Sequence, residues 1–255
     1  MIVAGVDVGA KTAKVVILKD GKVIGRGIAN TGLDQKESAN QAFNSALKEA
    51  KIEQKDLEKV VATGAGRAEA PHATENITEV GADAKGAAFL NPAVRTVIDI
   101  GGEEGRGIKC TAEGRAMDFA INEKCAAGAG AFTEAMARAL ECPLEEFAKL
   151  ALQSTKSIPM NAQCAVFAES EVVSLIHQKT AHADISRAVH DSIADRIISM
   201  VRRVGIEKEV MLIGGVAYNM GFVNSLNRGL NLQVIVPEKP EFVGALGAAL
   251  AAAGK

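Results

Sequence analysis

Tryptophan is absent from this chain of 255 residues, tyrosine occurs once, and aromatic side chains make up only 4% of it. A core without large rings must be built from alanine, valine, isoleucine and leucine packed at close range. That composition points to a layered α/β architecture and away from an aromatic-rich β-sandwich or a stacking platform for single-stranded nucleic acid. An excess of charge is missing too. The 29 lysines and arginines stand against 31 aspartates and glutamates, which removes the basic footprint of a general nucleic-acid binder. No basic region opens the amino terminus, which reaches Asp7 almost at once, so no secretory signal is read there. The longest apolar run, Gly244 to Gly254, falls short of the roughly 18 residues that cross a bilayer. We therefore expect a soluble, cytoplasmic protein without nucleic-acid or membrane partners. In that reducing setting the four cysteines (Cys110, Cys125, Cys142 and Cys164) are read as buried thiols, metal ligands or redox groups.

What the chain does contain is an internal echo. Residues 2–18 read as a β-branched strand, a tight glycine turn and a second strand, and residues 94–110 repeat the plan, with Asp99 matching Asp7 and Gly101 matching Gly9. Two related halves follow from this: residues 1–92, joined by a carboxy-terminal helix within 241–255, and residues 93–240. Helical spacing is predicted over 35–50, 82–89, 131–140, 165–177, 185–204 and 242–253. Strands are predicted over 60–63 and 210–213. In the long helix, Ile185, Val189, Ile193, Ile197 and Val201 recur every four residues.

Four glycine turns stand directly after apolar strands: Asp7-Val8-Gly9, Thr63-Gly64-Ala65-Gly66, Asp99-Ile100-Gly101-Gly102 and Gly214-Gly215. Glycine lets backbone N–H groups approach an anion, and strand ends are where α/β folds bind ligands. Two carboxylates at matched hairpin tips suit Mg²⁺, which keeps much of its hydration and takes one or two carboxylates plus phosphate oxygens. A single Asp-x-Gly turn is more often only a turn, but the matched pair together with the later glycines reads as a Mg-nucleotide cleft between the halves. No P-loop run is present, and no Gly-x-Gly-x-x-Gly opens a βαβ unit at the amino terminus.

This order of elements resembles the actin, hexokinase and heat-shock-70 ATPase superfamily. The resemblance implies two ribonuclease-H-like halves around an ATP cleft. It further implies that Asp7 and Asp99 organise Mg²⁺ and the attacking water, and that Gly9, Lys11, Thr12, Lys14, Gly101 and Gly102 face the phosphates. Gly214, Gly215 and Asn219 would line the adenosine side, with Gly244 on the closing helix.

Cys125 lies in Asn122-Glu123-Lys124-Cys125-Ala126-Ala127-Gly128-Ala129-Gly130, and Cys164 in Gln163-Cys164-Ala165-Val166-Phe167-Ala168-Glu169-Ser170-Glu171, each just before a predicted helix. A helix N-terminus favours thiolate, the form that binds iron or zinc. Spacing alone, 39 residues, matches no recognised metal pattern, and two buried structural thiols are its plainer reading. Cys110 and Cys142 lack the context and are read as plain small residues. The two segments resemble the cluster-binding segments of the ATPase family that includes activators of 2-hydroxyacyl-CoA dehydratases and the ATP-hydrolysing subunits of benzoyl-CoA reductase. The likeness extends over essentially the whole chain.

That resemblance implies one [4Fe-4S] cluster bridging a homodimer, or a heterodimer with a related subunit, with Cys125 and Cys164 as this chain's ligands. It implies a ferredoxin-like electron donor, catalytic reductase or dehydratase subunits as partners, and ATP hydrolysis that drives the electron to low potential. A push on the order of 300 mV for one electron is roughly 7 kcal/mol. The chain departs from the family pattern at Ala10-Lys11, at Asp83 where the family has histidine, and at Glu103-Glu104-Gly105-Arg106. Glu103 is the candidate for positioning water. The last of these runs, with the Cys125 segment, leans towards the benzoyl-CoA reductase branch; a dehydratase activator is the alternative, and a sugar-type kinase a third. Cys125→Ser is expected to abolish about four irons per two chains while leaving nucleotide binding measurable. Iron and sulfide analysis of protein purified without oxygen checks it, and full retention of iron refutes the ligand assignment.

Overall fold

The structure is a computed structural model that describes residues 1–122, 129–160 and 165–255, the side chains of residues 129, 165 and 166 excepted. Cys125 and Cys164 lie outside the described residues. In chain order the elements are β1 (Ile2–Val8), β2 (Thr12–Lys19), β3 (Lys22–Asn30), α1 (Gln35–Ala50), β4 (Lys59–Thr63), β5 (Glu75–Asn76), α2 (Glu79–Leu90), β6 (Thr96–Ile100), β7 (Gly105–Cys110), β8 (Ala116–Asn122), α3 (Ala129–Ala139), α4 (Leu144–Ala151), α5 (Ala165–His177), α6 (His182–Val201), β9 (Val210–Ile213), α7 (Met220–Leu230) and α8 (Val243–Ala252). They build two sheets, ordered β3-β2-β1-β4-β5 and β8-β7-β6-β9.

The echo in the sequence is an echo in the sheets. In each, a hairpin pairs the aspartate-bearing strand with its successor (Asp7 opposite Lys14, Asp99 opposite Arg106), and a parallel strand lies on its other side. A parallel bridge between Met211 and Ile235 stands in the second sheet where β5 stands in the first.

The packing is as close as the composition requires. Helix α1 is capped by Asp34, whose side chain accepts from the Glu37 N–H at 2.9 Å, and it buries Ala39, Ala42, Phe43 and Ala46 on the first sheet. A Cβ added to Gly27 in β3 would lie 1.9 Å from the Ala42 carbonyl oxygen, so this strand needs glycine for the helix to rest on it. Helix α6 buries its whole four-residue stripe, Ile185 to Val201, against Ile98, Ile100 and Leu212 of the second sheet.

Helices α2 and α8 cross with almost no side chain between them. Gly247 has room for no Cβ, since one would sit 1.8 Å from the Ala82 carbonyl oxygen. Helix α8 continues onto the first sheet, where Ala245 and Ala249 back onto Gly5 of β1.

Several elements differ from the periodic reading. Helix α2 begins at Glu79 because the Thr78 hydroxyl accepts from the Gly81 N–H at 3.2 Å, three residues earlier than its apolar pattern starts. Strand β3 is interrupted by Gly25 and Gly27, β8 carries no β-branched run, and α4 and α7 are short.

The crossing of α2 and α8 generates a stability test. Gly247→Ala forces the helix backbones apart and is expected to cost about 2–3 kcal/mol, whereas Gly215→Ala, with open space around the new methyl, stays within about 0.5 kcal/mol. Thermal unfolding followed by circular dichroism compares them. An unchanged midpoint for Gly247→Ala would show that this contact does not set the helix spacing.

Candidate functional site

The glycine turns converge on a single cleft of about 750 Å³. Asp7, Gly9, Lys11, Thr12, Lys14, Asp99, Gly101, Gly102, Glu103, Gly214, Gly215, Asn219 and Gly244 all line it. So do Thr63, from another of the four glycine turns, Glu79, Asp83, Glu104 and Arg106, none of which was named as a site candidate, and Leu144 and Lys149 of α4.

Each aspartate sits in the same local device. Gly64 and Gly214 adopt positive φ (94° and 86°), and a Cβ on either would fall 2.6 Å from Oδ1 of Asp7 or Asp99 respectively. Only glycine closes the adjacent strand end over the carboxylate in this way. Across the hairpin a cation holds each aspartate: Lys14 Nζ is 2.8 Å from Asp7 Oδ2, and Arg106 Nη1 is 2.6 Å from Asp99 Oδ2. The turns match as well, with the Gly9 N–H donating to the Thr12 carbonyl at 3.1 Å and the Gly101 N–H to that of Glu104 at 3.0 Å.

The halves then diverge. Arg106 is buried and also binds Glu79 of α2 (2.7 Å) and Glu104. Burial works against its cation, but Asp99, Asp83, Glu79 and Glu104 hold it charged, with its pKa above the usual arginine value. Burial likewise pushes Asp99 and Glu79 above the usual carboxylate range, with Arg106 offsetting part of the effect. Asp83 goes well above it, through burial first and the Asp99 charge second.

Asp7, Glu79, Asp83, Asp99 and Glu104 thus face two cations, Lys14 and Arg106. Two buried oxygens of the cleft lining, Asp83 Oδ2 and Thr63 Oγ1, have no hydrogen-bond partner. A surplus of carboxylate with orphaned oxygens fits a hydrated divalent cation. Among the described residues no three His, Cys, Asp or Glu side chains gather tightly enough to hold a metal by themselves. Phosphate oxygens and waters would have to complete the shell, which is how Mg²⁺ is usually bound.

The remaining candidates take distinct places. Glu103 is exposed at the cleft. Lys11 reaches across to Glu134 of α3, 3.1 Å away. The Asn219 side chain caps α7, accepting from the Phe222 N–H at 3.0 Å, and Tyr218 beside it donates its hydroxyl hydrogen to Glu241 at 2.7 Å. Cys110 and Cys142 are outside the cleft, and burial raises both thiols away from the thiolate form. Among the described residues no helix is long and apolar enough to cross a membrane.

Two matched sheets around a glycine-lined, carboxylate-floored cleft define an ATPase fold of the actin, hexokinase and heat-shock-70 class; a glucokinase from Streptomyces griseus shares the fold alone, at 15% identity and a TM-score of 0.62 over the full length of both chains. Within that class the chain belongs to the BadF/BadG/BcrA/BcrD ATPase family, whose pattern it matches over residues 4–252. It is 41% identical to the activator of lactoyl-CoA dehydratase from Anaerotignum propionicum, over 98% of this chain and 96% of the relative. The activator of the 2-hydroxyisocaproyl-CoA dehydratase from Clostridium difficile, solved with bound ADPNP, superposes with a TM-score of 0.91 at 36% identity, covering 99% and 94% of the two chains. A benzoyl-CoA reductase subunit from Thauera aromatica is 31% identical, over 98% and 92%.

The ion network generates the next test. Arg106→Met leaves Asp99, Glu79 and Glu104 facing one another and is expected to cost about 3–5 kcal/mol in chemical denaturation. Carboxyls with raised pKa values hold protons in the folded state that the unfolded chain releases. Their contribution is full below the ordinary carboxylate range and drains as pH rises through the raised values. The loss is therefore smaller at pH 5 than at pH 8, and a pH-independent loss would count against the network.

Proposed function

We propose that this chain is an ATP-hydrolysing electron-transfer subunit that delivers low-potential electrons to a partner enzyme acting on an acyl-CoA, with a 2-hydroxyacyl-CoA dehydratase as the first candidate. One observation carries the coupling. The N–H groups of Gly130 and Ala131, in the first turn of α3, donate to the carbonyl oxygens of Gly101 and Gly102 at 3.3 and 3.0 Å. The glycine turn that would meet the terminal phosphate is thus bonded directly to the helix that follows the Cys125 segment. Helix α5, which follows Cys164, packs Ala168 and Val172 into the same core as Phe132 and Met136 of α3. A shift of the turn on phosphate binding or release therefore moves both helices.

In this reading Asp7 and Asp99 hold Mg²⁺ through its waters, and Lys14 and Arg106 fix the two carboxylates. Lys11, Thr12 and the N–H groups at Gly9, Gly101 and Gly102 face the phosphates. Gly214, Gly215 and Asn219 bound the nucleoside side, and Gly244 leaves space beside Asp7. Glu103 orients the attacking water and takes its proton. The water oxygen bonds to the terminal phosphorus as the bond to the bridging oxygen breaks, and ADP departs with that electron pair. Cys125 and Cys164, with the equivalent pair of a second subunit in a homodimer or heterodimer, would ligate a [4Fe-4S] cluster, which supplies one-electron chemistry when bound. A ferredoxin-like protein is the proposed donor.

The choice of partner rests on overall likeness. Relatives named as dehydratase activators are 36%, 41% and 38% identical to this chain, against 31% for the benzoyl-CoA reductase subunit. The Glu103-Glu104-Gly105-Arg106 run, which leans the other way, loses weight as a partner signal, because Glu104 and Arg106 are committed to the cleft's own ion network.

Protein purified without oxygen is expected to carry about four irons per two chains. With ATP and a reductant it is expected to start a 2-hydroxyacyl-CoA dehydratase that keeps turning over after ATP is removed. Activity only with benzoyl-CoA reductase components, at continuous ATP cost, would move the assignment to the reductase. Iron-free protein that phosphorylates a sugar would overturn it altogether.

A further inference from the structure

Beyond its share in holding Arg106 charged, Asp83 has no place in the roles above, and the packing of its helix gives no reason for a carboxyl there. It lies on α2 amid Val80, Ala82, Ala84, Gly86, Ala87 and Ala88, all buried, where the helix packs on α8 and the second sheet. A small apolar residue would serve that packing, whereas a buried carboxyl oxygen without a partner costs about 1–3 kcal/mol. Asp83 is 95% buried, its Oδ2 bonds to nothing, and it lines the nucleotide cleft.

Its position is specific. The point where a Gly244 side chain would begin lies 3.0 Å from Asp83 Oδ1 and 3.5 Å from Asp7 Oδ2, so the two carboxyls meet over that glycine. Asp99 supplies the strongest repulsion on Asp83 from any neighbouring charge. Asp7 and Asp99 each have a cation of their own, in Lys14 and Arg106. Asp83 makes an ion pair with neither, and the charges of both Asp7 and Asp99 act on it.

We propose that Asp83 is a third carboxylate of the divalent-cation site, its Oδ2 accepting a hydrogen bond from a water in the ion's hydration shell. The role is outer-sphere, in keeping with the lack of a tight three-ligand cluster among the described residues. It explains the orphaned oxygen, and it explains why a carboxyl lies beside Gly244 at the contact of two small-residue helices. Removing an outer-shell partner typically weakens metal affinity 10–100-fold. The proposal rests on the reading of the cleft as a Mg-nucleotide site.

The test uses Mn²⁺ as the probe for the cation, followed by electron paramagnetic resonance of free Mn²⁺ in the presence of ADP. A parallel titration of ADP is made in EDTA. Asp83→Asn keeps the side-chain volume, and Asp83→Ala guards against the amide finding its own partners; a melting curve for each establishes folding. Mn²⁺ affinity is expected to fall about 10-fold or more in both variants, while metal-free ADP affinity holds within about twofold or rises as a negative charge is lost. Unchanged Mn²⁺ affinity in either folded variant, or an equal loss of Mn²⁺ and metal-free ADP binding, would overturn the proposal. Wild-type protein that binds no ADP would instead overturn the nucleotide reading on which it rests.

Discussion

Everything at the cleft depends on one cross-strand contact made twice: an aspartate on the first strand of a hairpin held by a cation seven residues later on the second. Asp7 with Lys14 and Asp99 with Arg106 occupy matching registers, and each is roofed by a positive-φ glycine on the neighbouring parallel strand. The contact orients a carboxylate that would otherwise rotate towards solvent, and the tight turn beside it leaves backbone N–H groups near the same cleft. Because strand ends and glycine turns recur together, two such hairpins facing each other bring two aspartates and two glycine turns into one cavity without a dedicated loop.

The second copy carries more. Arg106 binds Asp99 of its own sheet and Glu79 of α2, and α2 in turn crosses α8, which lies on the first sheet. A buried guanidinium is suited to this because its planar fork serves several carboxylates while staying charged, which a lysine would do less well. The floor of the cleft is therefore tied across both sheets by charge on one side and by glycine-to-backbone contact on the other. Neither tie tolerates intermediate arrangements: a side chain cannot be added between α2 and α8, and the ion network is either paired or costly. Stiffness at the floor leaves displacement to the rim, where Lys11 and Glu134 are exposed and paired across the opening.

Much of this is legible in the amino-acid sequence, and for identifiable reasons. Buried β-branched runs such as Val3 to Val8 and the stripe from Ile185 to Val201 declare their period, and Asp-x-Gly turns after such runs mark the strand ends that form the cleft. The same echo also matches Lys14 to Arg106, since both lie seven residues beyond their aspartates. Other features were hidden because their cause is tertiary. Gly25 and Gly27 look like strand breakers until α1 is seen resting on them. Glu79 and Asp83 stand one turn apart on a helix whose apolar pattern begins after the first of them, and only the fold brings them to Arg106 and Asp7.

The connection from Gly101 and Gly102 to α3 bears on how a nucleotide could do electrochemical work. To move a two-state arrangement from about 1:99 to 99:1, a ligand must prefer one state by roughly 5.5 kcal/mol, the same order as the roughly 7 kcal/mol that a 300 mV push requires. No single surface contact supplies that difference. A terminal phosphate could, because it would meet several backbone donors and a divalent cation at once, and would lose them together on hydrolysis. What matters is that the turn proposed to meet the phosphate has no slack towards the helix behind it. Two backbone hydrogen bonds, Gly130 to Gly101 and Ala131 to Gly102, satisfy that condition, because they join the turn to the first residues of α3 with no side chain in between to absorb the motion. A relay through flexible side chains would dissipate part of the phosphate's preference in rotamer freedom; a relay through backbone would pass it directly to α3.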